Sequence, residues 1–98
     1  MAFVQIIDFR TSQFDEMRQV ADEWEKATAG KRKTGRRIVA QDREDPERHF
    51  IVVFFESYED AMENSSLPET DALSKKMMGF AQGPPKFYNL DVQDDRQG

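Results

Sequence analysis

Apolar positions along the chain follow two rhythms. Residues 3–9 (FVQIIDF), 34–43 (TGRRIVAQDR), 48–56 (RHFIVVFFE) and 86–92 (KFYNLDV) are short and β-rich, and each reads as a strand. Between the first two, Phe14, Met17, Ala21, Trp24 and Thr28 recur at helical spacing and form one apolar stripe. Ser12, with Asp15 three residues on, is the expected N-cap of that helix, and Gly30 its expected stop. Lys31, Arg32 and Lys33 follow where the negative end of the helix dipole favours them. Pro46 builds a turn in EDPE. Ser57, with Asp60, caps a short helix over 58–65 (YEDAMENS). Ser66, Pro68 and Glu69 restart a helix in LPETDALSKKMMGFA, with Leu73, Met77 and Phe80 as its inner stripe. QGPP then breaks the chain before the last strand.

The order βαββαβ predicts an α+β, ferredoxin-like domain: a four-stranded antiparallel sheet with its helices on one face. Residues 1–92 form this single domain, and residues 93–98 are a polar tail. The first and third strands are expected in the middle of the sheet, the second and fourth at its more polar edges. Phe3, Ile7 and Phe9 point to one side, Val4 and Ile6 to the other. On the third strand Ile51, Val53 and Phe55 oppose Phe50, Val52 and Phe54. If Arg43 pairs with Arg48 across the hairpin, Val39 and Gln41 share a side with Phe50, Val52 and Phe54. A slip of one residue exchanges the sides.

Both sides of the central strands are therefore apolar, and one two-layer domain covers only one of them. A bare patch of Phe50, Val52 and Phe54 exceeds what a monomer normally exposes. An RNA-recognition motif stacks bases on such a surface, and Arg48, Phe50, Val53 and Phe55 fit its signature. His49, Ile51 and Val52 do not, and Ile6 and Ile7 replace the partner motif of the first strand. With a net charge of −5 and a pI near 4.8, nucleic acid is not the expected partner. A second copy of the chain is, with Phe50, Val52, Phe54 and Val39 as the dimer interface.

Composition narrows the chemistry further. The absence of cysteine excludes thiolate nucleophiles, disulfides and Cys-ligated metals, and the single histidine excludes a multi-His site within one chain, so no metal is expected. No apolar run approaches a membrane span, and Asp8 interrupts the N-terminus too early for a signal peptide, so a cytoplasmic protein is expected. Lys31, Arg32, Lys33, Arg36 and Arg37 make five of the 14 basic residues, read as a solvated run or as a docking point for an anion or acidic partner.

Over nearly its full length the chain, and VVFFESYEDAMENS in particular, resembles the dimeric α/β-barrel superfamily, which includes antibiotic-biosynthesis-monooxygenase-like and stress-responsive barrel proteins. The resemblance implies a homodimer and a substrate pocket between sheet and helices, where an aromatic or polyketide-like substrate supplies its own reducing electrons and no cofactor is needed. Trp24, Met62, Leu73, Met77 and Phe80 are the expected pocket walls, or simply core. His49, Asp8 and Asn89 are the candidate catalytic groups, with Gln5, Tyr88 and Tyr58 as further polar candidates. His49 is read as a half-exposed strand end opposite Asp42, or as a base at the pocket mouth. Haem-degrading relatives use Asn, Trp and His, but Trp24 and His49 stand at the wrong positions for that set, so haem is not expected. The alternative to an enzyme is a non-catalytic module that binds a small apolar ligand or only dimerises.

Overall fold

Period-two runs become strands and the helical stripes become helices in a computed structural model that describes residues 2–31 and 34–97. The elements are β1 (Phe3–Arg10), α1 (Phe14–Ala27), β2 (Thr34–Gln41), β3 (Arg48–Phe55), α2 (Tyr58–Ser65), α3 (Pro68–Met78) and β4 (Lys86–Asp91). The sheet is antiparallel in the order β2-β3-β1-β4, with the two most apolar strands in the middle as expected. Phe3, Val53, Phe55 and Ala61 form the buried cluster, with Ile51 packed against it.

The β2–β3 hairpin departs from the expected register by one residue. Gln41, not Asp42, lies opposite His49, and Val39 lies opposite Ile51. The turn itself explains the shift. The Asp42 carboxylate accepts the Glu44 N–H at 2.9 Å, and Asp42 and Arg48 close the loop through an N–H to carbonyl bond of 2.9 Å. This side-chain turn withdraws Arg43 from the ladder and keeps it from facing Arg48. An irregularity between Thr34 and Arg36 compensates at the other end of β2. Val39 therefore leaves the expected dimer face for the helical side, while Ile38 and Ala40 join Phe50 and Val52.

Two caps also differ from expectation. Ser12 does not cap α1. Gln13 occupies the cap position without a side-chain bond, and the Thr11 hydroxyl accepts the Gln13 N–H at 2.9 Å. Thr11 is almost fully buried, its own N–H donates to the Glu47 carbonyl (2.9 Å), and its hydroxyl donates to the Phe80 carbonyl (2.7 Å). One threonine thus ties the end of β1 to the hairpin and to the chain after α3. Ser66 ends α2, donating to the Glu63 carbonyl at 2.8 Å, and Leu67 with Pro68 starts α3 without a side-chain cap. Ser57 caps α2 as expected, accepting the Asp60 N–H at 3.1 Å. Gly30, at φ +84°, closes the segment after α1 in the left-handed region that suits glycine.

The face of the sheet opposite the helices carries Val4 and Ile6 of β1, Phe50, Val52 and Phe54 of β3, Ile38 of β2, and Tyr88 and Leu90 of β4. The β1 and β3 members are half-buried, whereas Ile38 and Leu90 are exposed. Arginine side chains cover two of the rings, Arg36 over Phe54 and Arg48 over Phe50, at 5.4 and 4.9 Å from the ring centroids.

Candidate functional site

The helix-facing side of the sheet has a banded floor. One cross-strand row is Ile7, Ile51 and Val39; the next is Asn89, Gln5, Val53 and Arg37. An apolar band therefore lies beside one with polar groups at both ends. Over this floor the helices leave a cavity of ≈ 560 Å³. Met17 and Trp24 of α1, Asn64 of α2, and Thr70, Leu73 and Met77 of α3 form its walls. A volume of that size and apolar character suits one multi-ring organic molecule.

Several polar groups face this space, among them Arg37 and Glu25 at its rim. Trp24, the only tryptophan, donates its indole N–H to the Thr70 hydroxyl at 3.2 Å, which fixes the ring and joins α1 to α3. Gln5 donates to the Asn89 side-chain oxygen at 3.1 Å. Asn64 is 8% exposed, and its Oδ1 is buried with no hydrogen-bond partner among the described residues. An unmet buried acceptor costs about 1–3 kcal/mol, which a bound donor would recover.

Trp24, Leu73 and Met77 are brought together as the sequence predicts, but Met62 and Phe80 are not part of the lining. Met62 is 38% exposed on the outer side of α2, and Phe80 follows α3 in a turn, where its carbonyl receives Thr11. The candidate catalytic groups are dispersed. Asp8 lies on the opposite face of the sheet, bonded twice to Arg48 at 3.1 and 3.3 Å, which holds the guanidinium above its ordinary pKa. Asn89 is at the exposed β4 edge, holding Gln5. Tyr88 lies on the open face below Lys86, and Tyr58 packs edge-on against Phe3.

His49 is not half-exposed. It is 3% exposed, stacked between Phe9 and Phe14 at 5.4 and 4.7 Å. Its Nδ1 lies 3.0 Å from the Glu47 carbonyl, an acceptor only, so Nδ1 carries a proton. It borders a separate groove of ≈ 670 Å³, and the rings of Phe9 and Phe14 stand between it and the cavity. Of the basic run, Lys31 pairs with Glu69 at 2.9 Å, Arg36 and Arg37 belong to β2, and Arg32 and Lys33 lie outside the described residues.

Asn64, Arg37 and Thr70 are among the cavity residues that sequence reasoning missed. Asn64 stands three residues after the fully buried Ala61, so helical spacing alone places it on the inner side of α2. Arg37 could be found only once the hairpin register was known. Among the described residues no cluster of three or more His, Asp or Glu could hold a metal ion, and no helix is long and apolar enough to cross a membrane.

No protein-family profile matches the sequence, and no curated protein sequence does. Solved structures do match in fold. SnoaB from Streptomyces nogalater, described as a cofactor-independent oxygenase, superposes with a TM-score of 0.81 at 7% identity, over 96% of this chain and 95% of its own. Rv0793 from Mycobacterium tuberculosis gives 0.81 at 11% identity over 99% and 100%. A protein described as an antibiotic biosynthesis monooxygenase gives 0.75 at 13% identity over 96% and 100%. The chain shares its fold with such proteins, several of them described as antibiotic biosynthesis monooxygenases.

Proposed function

We propose that this chain is a monooxygenase-like enzyme that needs no cofactor and acts on a hydroxylated aromatic or polyketide-like molecule held between sheet and helices. The observation that carries the reading is the buried Asn64 Oδ1, without a hydrogen-bond partner among the described residues, in the wall of the cavity beside Leu73 and Met77. A ring hydroxyl donating to it would be oriented and, as its O–H bond polarises, made more electron-rich. The indole of Trp24, locked by Thr70, supplies a flat wall, and Leu73 and Met77 exclude water. In the reaction a ring CH2 gives up both hydrogens, one atom of O2 becomes the new carbonyl oxygen, and the other leaves as water. The substrate supplies all the electrons.

The same reading has two copies meeting through the open sheet face, with Phe50, Val52, Phe54 and Ile38 at the contact. Burying side chains of this size contributes about 1.5–3 kcal/mol each.

One observation favours a second reading, a non-catalytic module for a small apolar ligand. No ionisable base enters the cavity from the expected set: His49 is walled off by Phe9 and Phe14, and Asp8 is across the sheet. Oxygen uptake with a hydroxyanthrone separates the two. The enzyme reading requires uptake well above the spontaneous rate and a drop of about tenfold or more in Asn64→Ala, the scale of a lost transition-state hydrogen bond. Saturable binding with no added oxygen uptake would leave the module.

A further inference from the structure

We infer that Arg37 anchors a carboxylate on the ligand, so that the cavity selects acidic ring compounds over their neutral counterparts; this rests on the cavity being a ligand site, as proposed above. Arg37 projects from β2 into the helix-facing layer opposite Val53, and Gln5 follows Val53 in the same row. Neighbouring strands are about 4.8 Å apart, so Arg37 and Gln5 stand about 10 Å apart with Val53 between them, enough for a ring to lie on Val53.

The state of the guanidinium carries the inference. Its side chain is 23% exposed, yet among the described residues none of its N–H groups makes a hydrogen bond. It has two neighbours, the Trp24 ring at 5.6 Å and the Glu25 carboxylate at 3.6 Å. The first is a stacking contact, and the second is beyond hydrogen-bond length. Five donors in a planar fork, partly buried at the cavity wall and held only by a loose ion pair to Glu25, fit a carboxylate with two parallel bonds. Arg18, the other arginine of the lining, is exposed and keeps its hydration. Glu25 and Asp22 share the rim, but Asp22 is exposed and the Glu25 side chain is 45% exposed, so water screens both more than it screens Arg37.

The test is calorimetric titration of the full chain with 3-hydroxy-2-naphthoate and with 2-naphthol, which differ by the carboxylate alone. The wild type is expected to bind the acid about tenfold tighter, the worth of one charge-assisted contact. Arg37→Gln should bring the two ligands close together, while Arg18→Gln should preserve the preference. Equal affinities in the wild type, or a preference that survives Arg37→Gln in folded protein, overturns the inference and leaves the cavity reading standing. Binding of neither ligand by the wild type overturns both. Should Arg37→Gln not fold, Glu25→Gln is read in its place. Removing the competing carboxylate should strengthen acid binding severalfold and leave naphthol unchanged, and no change overturns the inference.

Discussion

The indole nitrogen of Trp24 donates to the hydroxyl of Thr70, 3.2 Å away and 46 residues on, and so spans the roof of the cavity from α1 to α3. Thr70→Val keeps the shape and removes the acceptor. The expected cost is about 1–2 kcal/mol in urea denaturation, because the indole N–H loses its partner while largely buried. The chain has a single tryptophan, so its emission maximum should shift in the same variant. Unchanged stability and emission would show that the indole is held by packing alone.

The one-residue shift of the hairpin makes a sharp prediction about neighbours. Ile38→Glu, together with Phe50→Glu or Phe54→Glu, should abolish dimers in sedimentation velocity, because all three place charge on the open face. Val39→Glu should leave sedimentation unchanged and instead weaken ligand binding, since Val39 borders the cavity. An unchanged dimer in Phe50→Glu with Phe54→Glu would defeat the proposed pairing of copies.

Acid should loosen the corner where β1, the hairpin and the last loop meet. The hydrogen bond from Arg10 holds the Asp45 carboxyl below its ordinary value of 3.8. A group whose folded pKa is depressed stabilises the fold above its unfolded pKa, and the contribution is lost as pH falls through the folded value. The melting temperature should therefore fall more steeply below about pH 4 in the wild type than in Asp45→Asn, with the two nearly parallel from pH 5 to 8. Glu69, held down by Lys31, adds to the same acid limb.

His49 is predicted to stabilise the fold rather than to perform the chemistry. His49→Ala loses two ring stacks and the bond to the Glu47 carbonyl, an expected cost of about 2–3 kcal/mol. Ligand affinity in the cavity should change less than threefold while the protein stays folded, since each threefold is only about 0.7 kcal/mol. A loss of oxygen uptake with unaltered stability would restore His49 to the site.

Architecture was legible because periodicity is redundant. Phe3, Ile7 and Phe9 on one strand and Ile51, Val53 and Phe55 on another repeat the same message, so strand order and the doubly apolar centre followed from the pattern. Register was not, because it depends on one side-chain turn at Asp42 that competes with the ladder. Caps failed in a related way. Ser12 and Ser66 have the right chemistry, but Thr11 holds the Gln13 N–H and shifts the start of α1 so that Gln13 stands at the cap position, and Ser66 is drawn back to Glu63. The inward stripes at Trp24, Leu73 and Met77 were readable from helical spacing, and those three residues do line the cavity. The polar residues were not: Asn64 is notable for a buried oxygen without a hydrogen-bond partner among the described residues and Arg37 for its place beside Trp24 and Glu25, and spacing records neither.

The irregularity beside Gly35 gives β2 one residue more than β3 at the end away from the hairpin. It lets Thr34 pair with Phe55 while Arg36, in step with the hairpin, pairs with Phe54 on the open side and Arg37 with Val53 on the cavity side. The extra residue is absorbed upstream of both arginines, so the alternation of β2 from Arg36 onward is kept in step with the hairpin. Deleting one residue there would leave the Arg36–Phe54 and Arg37–Val53 pairs, which the hairpin turn sets, and would re-phase only the chain that enters β2 before them.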